Sequence, residues 1–244
     1  PEQRVPRIDA ARDTLFELRD VLNPDGALQL IGDDIYFDRK KPGVVKIDRR
    51  SVEGRLSELR PLTFSQVRHS PDEKIFNSLI EQYHYLGYTG PVGENLQYLI
   101  HDRQGRLLGC MLYGAAAWRV ADRDRFIGWD NAARKRGLSR IANNMRFLIL
   151  PWVRISHLAS HLLALSRRRI STDWQEKYGH PILLLESFIE QRRFAGTCYR
   201  AANWRCLGQT QGRGKLGDHR IGQVPVKDVW VYPLVRDFRE RLRR

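Results

Sequence analysis

The chain of 244 residues is long enough for one sizeable domain with a small accessory module. Its 42% hydrophobic and 10% aromatic content excludes an intrinsically disordered chain, and no apolar run reaches the roughly 18–20 residues needed to span a bilayer. A net charge of +14 points to a polyanionic partner, nucleic acid before anionic lipid.

In chain order, residues 10–22 predict a short helix, with Leu15, Leu18 and Leu22 on one face and Pro24 beyond it. Ile31, Ile35 and Phe37, then Val44, Val45 and Ile47, predict a hairpin linked near Lys40–Gly43. These elements form a predicted N-terminal module over 1–60, and 61–244 forms the core. Residues 71–83 predict a helix with Ile75, Phe76, Leu79, Ile80 and Tyr83 in one stripe. The glycine-rich stretch "YHYLGYTGPVGEN" follows, and then two strands about a tight turn at Asp102–Gly105. "NNMRFLILPWV" predicts a strand ended by Pro151. A long helix follows, with Ser156 as candidate N-cap and Gly179 as its stop. "PILLLESFIE" reads as a buried strand, "TCYRAANWRCLG" as a short helix closed by Gly208, and "VKDVWVYPL" as a last strand. The alternation predicts an α/β (α+β) fold: a mixed sheet flanked by helices.

The positive charge is concentrated. Residues 131–172 hold nine Lys/Arg and no acid, and residues 191–217 hold six and no acid. The remaining 27 bases face 28 acids, so two stretches carry the whole excess. Solvated faces usually mix signs, and acid exclusion of this length points to a polyanion site. Three cysteines without CxxC spacing (Cys110, Cys198, Cys206) predict a reducing, cytoplasmic location and argue against a structural zinc site.

The element order and "YRAANWRCLG" resemble the acetyltransferase-type (GNAT) core. That resemblance implies coenzyme A, held by a glycine-bearing turn after the central strand. Here the turn reads "LPWVRISHLAS" without glycine, so acetyl-CoA is not the expected cofactor. The ordered blocks "IGWDNAARKRGL", "NNMRFLILPWV", "LASHLLALSRRR", "DWQEKYG", "LLLESF", "GTCYRAANW" and "GQTQGRGK" resemble the DruA family of the Druantia anti-phage system, whose relatives accompany transposases. The resemblance covers residues 83–218. It implies a prokaryotic protein acting on DNA in phage defence or in mobile elements, alongside other defence or transposition proteins; the lack of a long apolar run predicts no membrane partner.

Arg134, Arg136, Arg140, Arg146, Arg154, Arg200, Arg205, Arg213 and Lys215 are the candidate phosphate contacts. Trp152 and Trp204, the latter beside Asn203, are the candidate stacking rings. Bases and rings together favour single-stranded or distorted DNA. Strand nicking or transfer would need a nucleophile beside cations, and Tyr199 and Cys198 fit. On a short helix, Cys198 would sit at the positive end that lowers a thiol's pKa. Glu186, alone on an apolar strand, is the candidate base or ligand to Mg²⁺ or Mn²⁺, with Asp173 and then Glu94 or Asp130 as companions. A structural ion pair is the competing reading of Glu186. No motif of a metal site is present. A GNAT-type acyltransferase and a non-catalytic DNA adaptor are the alternative functions.

Overall fold

The computed structural model describes residues 28–31, 34–37, 41–210 and 225–244, the first two stretches as backbone only. The predicted helix over 10–22 and the candidates Arg213 and Lys215 lie outside the described residues. Strands β1 (Leu28–Ile31) and β2 (Asp34–Phe37) pair as an antiparallel hairpin. The predicted arm at Val44–Ile47 is not a strand; the Val45 N–H donates instead to Ser78 Oγ at 2.9 Å. Residues 47–60, grouped with the N-terminal module in the sequence, pack on the main body, where Val52 and Leu59 are buried.

The body is built on β4 (Thr63–Gln66), β5 (Asn95–His101), β6 (Leu107–Ala115), β7 (Ile141–Ile149), β9 (Leu184–Glu190), β10 (Arg205–Gln209) and β11 (Lys227–Pro233). They form one mixed sheet in the order β10-β11-β9-β7-β6-β5-β4, antiparallel except for β7 beside β9. The Asp102 carboxylate closes the β5–β6 turn by accepting the N–H groups of Gln104 and Arg106, each at 2.9 Å. Gly105 there takes φ 76°, which a side chain would disfavour.

Helix α5 (Leu158–Tyr178) covers one face of the sheet. Tyr98 donates to Asp173 at 2.6 Å and Tyr113 bonds Ser166 at 2.8 Å, which fixes α5 across β5 and β6. Gly179 ends the helix at φ 80°, as its place after the last apolar position implies. Its N-cap is His157 in the left-handed conformation, not Ser156. The opposite face carries α2 (Glu73–Tyr83) and three short helices, α3 (Ala121–Ile127), α4 (Asn131–Gly137) and α7 (Phe238–Arg243). The apolar stripe of α2 is the buried one, with Phe76, Leu79 and Ile80 inside. A smaller cluster of Ile127, Ile141, Leu184, Val231, Phe238 and Leu242 seats α3 and α7. A single turn, α1 (Leu56–Leu59), and the parallel pair of β3 (Val52–Glu53) with β8 (Val153–Arg154) complete the body.

The predicted helix "TCYRAANWRCLG" divides into α6 (Thr197–Ala201) and strand β10. Gly208 does not stop a helix. It sits in β10 at a register shift, where a Cβ would collide with Asp122. Among the described residues, no helix is long and apolar enough to cross a membrane.

Candidate functional site

Strands β7 and β9 pair only from Ile141↔Leu184 to Asn143↔Glu186. Beyond that row they separate into a fork that opens at their carboxyl ends, the position where α/β sheets offer ligand crevices. A β-bulge accompanies the split. Leu112 pairs with Arg146 and Tyr113 with Asn144, so Met145 is an extra residue. Asn144 therefore points to the α5 face with Tyr113, while Arg146 points to the opposite face.

On the α5 face, Asn144 meets Tyr199. The Tyr199 hydroxyl donates to Asn144 Oδ1 at 2.7 Å and accepts from Ser187 Oγ at 3.2 Å. Tyr199 is 5% exposed, and burial pushes its hydroxyl far above the ordinary range. It is a core ring with both hydrogen-bonding roles filled, which opposes the nucleophilic role expected from the sequence. Cys198 is half-buried, and burial raises its thiol rather than lowering it. Trp204 is 4% exposed and packs edge-to-face on Tyr199 at 5.1 Å, so its ring offers no surface to a base. Trp152 is half-buried against Tyr83 at 5.3 Å.

The carboxylates do not converge. Glu186 is fully buried on the opposite face, where Oε2 accepts from Arg123 at 2.8 Å and Oε1 from the Ala117 N–H at 2.7 Å. Arg123, itself fully buried, also holds the Ala117 carbonyl at 2.6 Å and Asp124 at 2.8 Å. Glu186 is therefore a structural ion pair that pins the segment between β6 and α3. Asp173 lies on the α5 side and accepts from Tyr98 and Arg169, each at 2.6 Å, so the sheet separates it from Glu186. Glu94 accepts from Trp174 and His180, and Asp130 caps α4. No group of three His, Cys, Asp or Glu that could hold a metal occurs among the described residues.

Much of the first basic stretch is occupied internally. Arg134 is buried beside Asp124 and over the Trp118 ring. Arg136 donates to the Arg244 carbonyl and Arg140 to that of Arg241, tying down α7. Arg146 donates to Gly87 O at 3.4 Å, Met145 O at 2.9 Å and Thr89 Oγ1 at 2.9 Å. Arg154 is exposed and lies 3.8 Å from Glu53. Arg200, Asn203 and Arg205 are exposed.

The residues that border the fork's mouth lie outside the set of candidates expected from the sequence. Arg192 and Arg193 lie just beyond β9 and are exposed, with Arg193 Nε donating to Glu190 Oε1 at 3.3 Å. Arg193 lies over the Tyr85 ring at 5.1 Å, and Tyr85 lies 5.4 Å from Phe194. Both rings are open to solvent, at 37% and 49%. The signal was present: Tyr85 sits in the glycine-rich segment, and the other three open the second acid-free stretch. Beside them, burial first and then Arg146 pull His84 down to about 4, and the Leu86 N–H donates to its Nδ1. The unfolded chain, near 6.5, takes up the proton first. Stability should therefore decline as pH falls from about 6.5 towards 4 and stay flat above that window. Urea midpoints for the parent and for His84→Asn at pH 7.5 and 4.5 check this; an equal drop in both would refute it.

The turn from β7 to α5 contains no glycine. It is crossed by the β3–β8 pair, with the Val52 N–H donating to Trp152 O at 2.9 Å. These residues do not fit a backbone cradle for a pyrophosphate.

Solved structures similar to the chain include a spermidine N-acetyltransferase from Vibrio cholerae in complex with CoA and spermine, 11% identical, covering 71% of this chain and 95% of that one at TM-score 0.45. Another is a putative phosphinothricin N-acetyltransferase, 14% identical, covering 72% and 99% at TM-score 0.44. Such values say nothing about chemistry. The Druantia protein DruA of Escherichia coli (strain UMEA 4076-1) is 25% identical over 169 residues, 66% of this chain. The chain spans 36% of that relative's length. The family model for the Druantia protein DruA matches residues 47–222, a span that includes the fork, the buried Arg123–Glu186 pair and α6, and the chain belongs to that family.

Proposed function

We propose that the chain is a DNA-binding component of an anti-phage system, engaging a strand along the mouth of the β7–β9 fork without cutting it. The observation that supports this is the group of exposed Arg192 and Arg193 beside the open rings of Tyr85 and Phe194, with exposed Arg200 on the neighbouring α6. Phosphates attract exposed cations such as Arg192, and Arg193 would exchange its contact with Glu190 at 3.3 Å for a phosphate, while unpaired bases require ring faces. A strand-cleaving role has no such support, because Tyr199 is enclosed and Glu186 is paired. Other proteins of the defence system are the expected partners.

The test is fluorescence anisotropy of a labelled single strand across a salt series. The affinity should fall steeply with salt, and the triple replacement of Arg192, Arg193 and Arg200 by Gln should reduce the log–log slope by about 2–3. A slope that does not change would remove this surface from the interface. No product should form with Mg²⁺ or Mn²⁺.

A further inference from the structure

Among the described strand residues that face away from α5, four buried side-chain atoms have no hydrogen-bond partner: Asn95 Oδ1, Gln97 Nε2, Gln97 Oε1 and Asn143 Oδ1. Asn95 and Gln97 are wholly buried. The register brings these amides together. Asn95 pairs with Gly114 and Gly114 with Asn143, so one row crosses β5, β6 and β7, with its outer members about 10 Å apart. Gly114 contributes no side chain between them; a Cβ there would stand 4.0 Å from Asn95 Cβ and collide with Met145 Sδ. Gln97 lies two residues along β5 on the same face.

Residues 84–94 lie over this floor. Arg146 holds Gly87 and Thr89, and Asn95 Nδ2 donates to Gly93 O at 2.7 Å. Gly87 and Gly93 both have positive φ, so the segment bends where side chains would resist. Buried amides without partners reduce stability, and natural cores keep few of them. Keeping four such atoms on three neighbouring residues is what a binding floor requires.

We propose that this amide floor takes the hydrogen-bonding edge of an amino-bearing nucleobase, adenine or cytosine. The vacant atoms are three acceptors and one donor. An anion would meet oxygens, and a metal ion would find no carboxylate, whereas an exocyclic amino group meets acceptors. Asn and Gln amides pair with adenine edges in this way. A planar base would take the space above Gly114 that the flexible Met145 side chain fills. The open Tyr85 ring stands in the segment that Arg146 holds over the floor, and it is suited to stacking. The base comes either from a free nucleotide or from a strand. The second source rests on the DNA-binding reading above.

Calorimetric titration of the intact chain with dAMP, dCMP and dTMP tests the floor. Anisotropy with a labelled single strand, with and without an abasic position, tests the source. We expect dAMP and dCMP to bind at least tenfold tighter than dTMP. Gln97→Leu should weaken them about tenfold while leaving the thermal midpoint equal or higher, since it removes two unpartnered atoms. Equal binding of the three nucleotides, or none, overturns the proposal. So does a lower midpoint in Gln97→Leu, which would make the amide a structural group satisfied by water. If the strand binds with salt sensitivity but neither the abasic position nor Gln97→Leu matters, the floor is wrong and the DNA reading stands. If dAMP binding needs Gln97 and no strand binds, the floor stands and the DNA reading falls.

Discussion

Arg123→Ala is expected to reduce the unfolding free energy by about 3–5 kcal/mol. The guanidinium is fully buried, with Glu186 and Asp124 on its nitrogens and the Ala117 carbonyl alongside. Removing it leaves the Glu186 carboxylate enclosed and uncompensated, which costs far more than the pair itself contributes. Glu186→Ala should also be damaging, because it takes the buried partner from Arg123, leaving it Asp124, and leaves the Ala117 N–H without its acceptor. Arg125→Ala provides the contrast: its partner is Asp122 at 2.9 Å, but the arginine is 78% exposed, and the change should stay within about 0.5 kcal/mol. Urea unfolding of the three variants decides it. Full stability in Glu186→Ala would return this carboxylate to the list of candidate reacting groups.

Trp204→Ala should cost about 3–5 kcal/mol, the range for emptying a large aromatic site in a core. The ring is wedged between Tyr199 and Tyr232, with Arg167 over the latter at 4.6 Å. Replacing the flanking exposed Arg205 with Gln should change stability by no more than about 0.5 kcal/mol. A Trp204→Ala protein that melts normally but binds a single strand poorly would mean that the ring serves as a stacking platform after all.

Much of the fold is legible in the sequence because its signals are local. The stripe of α2, the Asp102 turn, Gly179 and the apolar runs of β7 and β9 each follow from spacing within a dozen residues. The short helices α3, α4 and α7 are not legible. Their sequences are dense in arginine, and their order comes from distant carbonyls and carboxylates that arginines reach across the chain. The same reach explains why acid-free stretches overstate free charge. A guanidinium is satisfied as well by backbone oxygens as by Asp or Glu, and Arg136, Arg140 and Arg146 are held that way. Tyr199 and Cys198 look surface-like in "GTCYRAANW" because small and polar residues surround them. Only the folding of β10 and β11 against α6 encloses the tyrosine. Glu186 is the reverse case: a single acid in an apolar strand does reveal that it must be paired, though not with which arginine.

The extra residue at Met145 has a consequence for how this chain can change over time. Side-chain direction in a strand keeps a two-beat rhythm, and one inserted beat sends neighbours to opposite sides. Asn144 and Arg146 serve two separate compartments for that reason. Point substitutions can adjust either compartment alone. A change of length between Asn143 and Arg146 would exchange the contents of both at once, placing a guanidinium among tyrosines and an amide under the glycine-rich segment. This part of β7 is therefore locked in length while remaining open in composition.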